Sequence, residues 1–178
     1  AGFKAVAAGW SHSLGLRLDG SILGWGSDSY GEASAPLPNG GFIAIAAGGS
    51  HSLGLKDNGA ILAWGSNYNG QIDVPLPNNG FVAVAAGGYH SMGLKADGSV
   101  VAWGCGSSET RDDGQCNNPA PNTGFVAVAA GGYHNLALRA DGSIVAWGAG
   151  EAGESGWYDY GQSVVPAPNT GFIAIAAG

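Results

Sequence analysis

A long internal repeat constrains the fold of this 178-residue chain more than any other feature. The dipeptide Gly-Phe recurs at spacings of 39, 39, 44 and 47 residues, with its aromatic residue at Phe3, Phe42, Phe81, Phe125 and Phe172. A histidine and a tryptophan follow at fixed phases in the first four copies: His12, His51, His90 and His134, and Trp25, Trp64, Trp103 and Trp147. Such self-similarity indicates a repeat array. The sequence therefore predicts one array over residues 1–178, with repeats at about 2–40, 41–79, 80–123 and 124–170 and an extra strand at 171–178.

Each repeat is predicted to contain four β-strands. In the second repeat, "FIAIAA" mixes branched and small apolar residues, and "HSLGLK" is followed by Asn58-Gly59, a preferred hairpin turn. "AILAWG" then returns antiparallel, and the proline-bearing "GQIDVPLP" is predicted to be an outermost edge strand. No helical period is present. Small sheets of this length that bury both faces stack radially, so the expected fold is all-β, with one propeller blade per repeat.

The repeat also resembles a known family. "VAAGGYHSMGLKADGSVVAWG", followed in other copies by "NGQIDVP" or "YGQSVVP", is similar to the regulator of chromosome condensation repeat. It looks most like the compact bacterial form, a branch that includes a secreted propeller that inhibits β-lactamase. The resemblance covers nearly the whole chain and implies seven-bladed propellers. Four repeats and one strand are fewer, so an open arc or part of a larger, seven-bladed ring is expected.

The repeated His-Ser pairs raise the question of serine chemistry. They occur at His12-Ser13, His51-Ser52 and His90-Ser91, whereas Asn135 follows His134. A serine nucleophile needs one base, one acid and one oxyanion hole in one place, and copies on successive blades cannot converge in that way. The histidines are therefore interpreted as scaffold. No enzyme activity, cofactor or metal site is predicted.

Basic residues also repeat, just before the acidic hairpin turns. They are interpreted as solvated partners of those turns, with little energetic weight. The set comprises Arg17, Lys56, Lys95 and Arg139.

Variation between repeats is concentrated in the segments that follow each repeated tryptophan. Nine carboxylates lie there and only Arg111 opposes them, which leaves a charge of −8 within a total of −7: Asp28, Glu32, Asp73, Glu109, Asp112, Asp113, Glu151, Glu154 and Asp159. The two longer repeats insert "CGSSETRDDGQC" and "AGEAGESGWYDYGQ" in this region. The predicted partner-binding residues are Trp157, Tyr158, Tyr160, Asp159, Glu109, Asp112, Asp113 and Trp10, the last of which could instead cap the end of the array.

An alternative remains open, in which the insertions are tolerated loops whose aromatic side chains pack back on the blades. Acidic charge excludes phosphate-backbone binding as the main role, so nucleic acid is not an expected partner. No apolar run is long enough to span a bilayer. The expected partner is a protein, with positive charge at the contact.

Two cysteines bracket the third insertion. Cys105 and Cys116 are predicted to form a disulfide that braces the loop, although two free thiols remain the alternative. Two cysteines are too few for a structural zinc site. A disulfide requires an oxidising compartment, so an extracellular or cell-surface location is expected.

The two ends of the array suggest a second function, self-assembly. Lys4 stands at the phase of Ile43, Val82, Val126 and Ile173, which is predicted to be buried. The last strand keeps the apolar pattern, so Phe172, Ile173 and Ile175 are predicted assembly residues that pack on another chain or on further blades. The main prediction is a protein-binding scaffold; the alternatives are a self-assembling segment or a fragment of a larger secreted propeller.

Overall fold

The computed structural model describes residues 2–106, 113–150 and 160–178, and it confirms the all-β prediction. The described strands form four antiparallel sheets of three strands each, every sheet in chain order. The first blade contains β1 (Phe3–Ala8), β2 (His12–Arg17) and β3 (Ile22–Gly26), and the second contains β4 (Phe42–Ala47), β5 (His51–Lys56) and β6 (Ile61–Gly65). The third contains β7 (Phe81–Ala86), β8 (Ser91–Lys95) and β9 (Val100–Trp103), and the fourth contains β10 (Phe125–Ala130), β11 (His134–Arg139) and β12 (Ile144–Gly148).

The core lies between successive blades and confirms the predicted place of the tryptophans. Each interface combines second-strand aliphatic residues and the first residue of the third strand of one blade with the first-strand phenylalanine and third-strand tryptophan of the next. Between the first two blades these are Leu14, Leu16, Ile22, Phe42 and Trp64. The next two interfaces are built by Leu53, Leu55, Ile61, Phe81 and Trp103, and by Met92, Leu94, Val100, Phe125 and Trp147.

The predicted fourth strand is wrong. The proline-bearing segment is irregular, because proline has no N–H to donate to a ladder. An asparagine replaces the missing strand: Asn78 Oδ1 accepts from the Ile61 N–H at 2.8 Å, and its Nδ2 donates to the Ile61 carbonyl at 2.7 Å. The same amide pairing occurs in every repeat, through Asn39, Asn122 and Asn169.

The repeat position that Lys4 occupies is not buried, contrary to the prediction. The pairing of each first strand with its neighbour shifts register just after the phenylalanine, so the following residue is bulged. Ile43, Val82 and Val126 are accordingly 48%, 52% and 55% exposed. Lys4 is an ordinary occupant of this position, and its Nζ donates to the Phe42 carbonyl at 3.2 Å. The burial pattern therefore no longer supports a covered Ile173, which is 94% exposed, and packing of the last strand on another chain stays a prediction.

The repeated basic residues have a packing role that the sequence did not predict. The register places Lys56 opposite Phe42, and the Lys56 Nζ lies 3.5 Å from the centroid of that ring. Lys95 and Arg139 lie over Phe81 and Phe125 in the same way, at 4.7 and 5.3 Å. These cations cover the outer edge of the core through cation–π contacts, in addition to their charge interaction with the neighbouring acidic turns.

The arc is open at both ends. In the first blade Phe3 and Trp25 are 48% and 49% exposed, whereas their counterparts Phe42 and Trp64 are 1% and 7% exposed. At the other end, residues 172–178 lie on the fourth blade as a further first strand would. The Phe172 N–H donates to the Gly142 carbonyl at 3.0 Å, which repeats the bond between Phe125 and Gly98.

Candidate functional site

The repeated histidines and serines form hydrogen bonds between blades. His12 Nε2 lies 2.9 Å from Ser52 Oγ of the next blade, and Ser52 Oγ donates to the Glu32 carbonyl at 2.8 Å. Trp64 Nε1 donates to the same carbonyl at 2.9 Å. Because the hydroxyl proton points at the carbonyl, His12 must be the donor to Ser52. The histidine cannot act as a base toward this serine, so the predicted scaffold role is confirmed for this contact.

The other two blade interfaces have the same connection. His51 Nε2 lies 2.9 Å from Ser91 Oγ, and the Gln71 carbonyl accepts from Ser91 and from Trp103 at 2.7 and 3.0 Å. His90 Nε2 lies 2.7 Å from Asn135 Oδ1, and the Gln115 carbonyl accepts from Asn135 and Trp147 at 2.7 and 3.1 Å. Each blade therefore fixes the loop of the preceding blade at one backbone oxygen.

Burial keeps the central histidines neutral. It lowers the pKa of His51 to about 3 and that of His90 to about 4, and neighbouring histidines contribute in the same direction. Among the described residues, the Nδ1 atoms of both rings have no hydrogen-bond partner. A proton added there would be buried without an acceptor, which disfavours the charged form.

The loop after each third strand is also folded by one of its own side chains, including the fourth loop. Glu32 Oε2 accepts from the Tyr30 N–H at 2.8 Å, and Gln162 Oε1 accepts from the Tyr160 N–H at the same distance. Gln71 and Gln115 make the corresponding bonds in the middle repeats. We call the end of the arc formed by these loops, together with the turns between first and second strands, the loop face. The end that carries the hairpin turns is the turn face.

Aromatic rings from different blades meet on the loop face. Trp10 and Tyr89 have ring centroids 5.1 Å apart at an interplanar angle of 85°, and Tyr133 lies 5.6 Å from Tyr89. Tyr30 and Tyr68 pair at 5.7 Å and 89°. Three of these side chains are at least half exposed: Trp10 at 58%, Tyr30 at 50% and Tyr68 at 81%. They therefore form a solvated aromatic surface, not a part of the core.

Two clefts on the loop face are lined by these aromatic side chains. One, of about 230 Å³, is lined by Trp10, Tyr30, Tyr68 and Tyr89 together with serine, asparagine and glutamine side chains. The other, of about 260 Å³, lies between Tyr133 and Tyr160.

Charge is segregated between the two ends. The described acidic residues of the loops are Asp28, Glu32, Asp73 and Asp113. Within the described ranges, every lysine and arginine is at the turn end of a strand: Lys4, Arg17, Lys56, Lys95 and Arg139. The turn face also carries Asp19, Asp57, Asp97 and Asp141, so it is nearly neutral, whereas the described loop face is purely anionic.

Comparison with known proteins identifies the family. The sequence profile of the Regulator of chromosome condensation (RCC1) repeat matches residues 3–32, 42–71, 81–109 and 125–154. The chain belongs to the RCC1 repeat family. No curated protein sequence matches it.

Several solved structures share the fold. Yeast RCC1 (Prp20) bound to Kap60 is 22% identical with a TM-score of 0.69, over 83% of this chain and 44% of that one. The CRINKLY ectodomain of the Arabidopsis thaliana receptor kinase ACR4 is 28% identical with a TM-score of 0.63, over 82% and 49%. Human WBSCR16 is 22% identical with a TM-score of 0.65, over 82% and 46%. The chain thus spans about half the length of these structures.

The RCC1 arc places three of the predicted site residues on the loop face, in different parts of it. Trp10 lies across Gly49 and Gly88 of the next two blades and lines one cleft, Tyr160 lines the other, and Asp113 lies in the third loop. The remaining predicted contacts lie outside the described residues: Trp157, Tyr158, Asp159, Glu109 and Asp112. Cys105 and Cys116 form the predicted disulfide, with their Cα atoms 6.0 Å apart.

Four aromatic residues of this face were missed by sequence reasoning: Tyr30, Tyr68, Tyr89 and Tyr133. A signal was present, because Tyr89 and Tyr133 share one phase and Tyr30 and Tyr68 occupy the same loop of successive repeats. In the part of the chain that the structure describes, no group of three metal-ligating side chains occurs. No helix there could cross a lipid bilayer.

Proposed function

We propose that this chain is a protein-binding scaffold and that the loop face is its contact surface. One observation carries the proposal: exposed Trp10, Tyr30 and Tyr68 stand together on the end of the arc where the described charged side chains are all acidic. Tryptophan and tyrosine supply much of the binding energy at protein interfaces, and contiguous exposed apolar surface marks interaction sites.

The scaffold beneath this surface is suited to recognition. The first three loops are each anchored by two hydrogen bonds from the next blade, so little of their conformational entropy would be lost on binding. Carboxylates around the rings favour a partner with positive charge and would accelerate its association at low salt. RCC1-type structures include yeast Prp20 bound to Kap60 and Prp20p studied for its binding to Gsp1p and histones. The role is non-enzymatic, and the disulfide supports an extracellular or cell-surface location.

A site-specific cross-linking experiment tests this function. A photo-reactive phenylalanine analogue replaces Tyr68 on the loop face or, as the matched control, Leu76 on the turn face, where the side chain is 89% exposed. Partners cross-linked in the source organism are identified by mass spectrometry, and their Kd is measured for Tyr68→Ala and Leu76→Ala. We expect cross-links from position 68, a Kd at least about tenfold weaker for Tyr68→Ala, and slower association at high salt. Cross-links and loss of binding confined to position 76 would contradict the proposal.

A second candidate function, assembly through the open blade face, has its own observation. Phe3, Val6 and Trp25 are 48%, 74% and 49% exposed. In the other three repeats, a preceding blade buries the residues equivalent to Phe3 and Trp25. The matching occupant is another RCC1 blade, because Trp64, Trp103 and Trp147 all donate to a carbonyl of such a blade. That blade would belong either to a longer ring or to a second copy.

Sedimentation of the chain over a range of concentrations tests this assembly. Self-association that is lost on deletion of Phe172–Gly178 and in Trp25→Gln, with β-structure retained, would support a contact between copies. A monodisperse monomer before and after the deletion would refute it.

A further inference from the structure

Four aromatic side chains, together with polar residues, form the walls of the cleft of about 230 Å³ on the loop face. Trp10, Tyr30, Tyr68 and Tyr89 line it, and they come from three successive blades. The two ring pairs are each nearly perpendicular, at 85° for Trp10 with Tyr89 and 89° for Tyr30 with Tyr68. Perpendicular rings enclose a corner instead of presenting one flat stacking platform, so they suit a compact, rounded group better than a planar base or a sugar ring.

The charges around the cleft favour a cation. Among the described residues no lysine or arginine lines it. The loops that carry Tyr30 and Tyr68 contain Asp28, Glu32 and Asp73, which lie outside the lining itself. Aromatic rings attract cations through the negative potential of their faces, and several rings together form the cages that bind alkylated ammonium groups. A neutral apolar guest would gain nothing from these carboxylates.

The size of the cleft indicates one side chain as the occupant. Its volume is below the range of about 300–1,000 Å³ that is typical of sites for whole small molecules. Of the polar lining residues, Ser66 and Gln71 are buried, whereas the half-buried Ser50 and Asn69 are accessible to the backbone of a partner.

We propose that the cleft between Trp10, Tyr30, Tyr68 and Tyr89 binds the alkylammonium head of a lysine side chain, unmodified or methylated, on a protein partner. This inference rests on the proposed function of the loop face, and it names the chemical group that the face recognises. The ammonium lies in the corner between the perpendicular rings, and its aliphatic stem packs along Trp10 toward the rim.

Titration with short blocked peptides tests the assignment by NMR and calorimetry. The peptides are Ac-Gly-X-Gly-NH₂, where X is lysine, trimethyllysine, arginine or the neutral isostere of trimethyllysine with carbon in place of nitrogen. We expect trimethyllysine to bind most tightly, lysine to bind detectably and the neutral isostere to bind at least about fivefold more weakly, since the charge provides the cation–π attraction. Shifts should appear at the indole of Trp10 and the ring of Tyr68.

Variants distinguish binding in this cleft from nonspecific binding elsewhere on the protein. Tyr68→Ala and Trp10→Ala should each weaken trimethyllysine binding by about tenfold, whereas Leu76→Ala on the turn face should leave it unchanged. Both aromatic side chains are more than half exposed, so the variants should fold. Equal binding of the neutral isostere, tighter binding of arginine than of trimethyllysine, or binding indifferent to both variants would overturn the inference. If no peptide binds while a cross-linked partner still requires Tyr68, the lysine assignment falls and the proposed function stands.

Discussion

Acidification is expected to destabilise the arc well above the pH at which its carboxylates titrate. His51 and His90 are buried between blades, and burial lowers their pKa values to about 3 and about 4. In the unfolded chain both would titrate near 6.5. The unfolded state therefore takes up protons first as the pH falls, and stability that is fully present above pH 6.5 is lost progressively down to about pH 4 for His90 and about pH 3 for His51.

The size of the loss follows from these pKa values. Between pH 7.5 and 5.0 an unfolded histidine of pKa 6.5 gains about 2 kcal/mol from protonation, while a native histidine that titrates near pH 4 or below gains almost nothing. The two central histidines together should lower the free energy of unfolding by about 4 kcal/mol, a large part of the total for a typical domain. Hydrogen-bonded carboxylates such as Asp97 and Asp141 have lowered pKa values, so their loss begins only near pH 4.

Guanidinium unfolding followed by tryptophan fluorescence between pH 7.5 and 5.0 measures this effect. His51→Gln removes one titrating group and keeps an amide donor for Ser91, so its free energy of unfolding should fall by about 2 kcal/mol less over the same range. His134→Gln is the matched control, because His134 is less buried and should change the pH slope less. An unfolding free energy that is flat from pH 7.5 to 5.0, or a slope unaffected by His51→Gln, would refute the reasoning.

Three further predictions concern the scaffold. Gly48→Ala should destabilise the protein by several kcal/mol, because the new Cβ would lie 2.5 Å from a carbonyl oxygen of the next blade. Gly132→Ala, whose Cβ would have no described atom within 4 Å, should be nearly neutral in the same thermal denaturation. Asn78→Ala should cost about 2 kcal/mol, since both backbone partners of the amide lose a hydrogen bond, and chemical denaturation measures it. Replacing Cys105 and Cys116 with serine should cost about 3 kcal/mol by chain entropy, and a stability equal to that of the oxidised wild type would contradict a bracing role.

The fold could be predicted because its signal is periodic. The phases of phenylalanine, histidine and tryptophan locate the three strands of each blade without long-range information, and the structure follows them. The errors in the predicted fold have two causes. In one, a side chain makes the hydrogen bonds expected of a backbone strand; in the other, a shift of strand register exposes a residue that was expected to be buried. Asn78 completes the sheet edge in place of a fourth strand, and the bulge after Phe42 exposes Ile43. Neither a side-chain amide that mimics a strand nor a single-residue bulge changes the hydrophobic pattern.

The candidate site was predictable only in part. The acidic character of the loops can be read from composition, and Trp10 is conspicuous because it replaces a repeated glycine. The aromatic cleft cannot be read in this way. Tyr30 lies 38 residues before Tyr68, and Trp10 lies 79 residues before Tyr89, so the rings meet only because neighbouring blades stack in phase. The sequence of one loop therefore does not show which aromatic side chain of another blade it will contact.

The way in which the blades are joined explains how the loops can vary without loss of the fold. The bonds from Ser52 and Trp64 end on the backbone carbonyl of Glu32, and those from Ser91 and Trp103 end on that of Gln71. Any residue offers that carbonyl, so the interface requires a fixed loop path but no particular side chain at the exposed positions. Aromatic and acidic side chains can therefore accumulate on the loop face while the serine, histidine and tryptophan behind it hold the arc together. The repeated His-Ser pairs and the variable aromatic residues are thus two separate systems, and only the second is free to specify a partner.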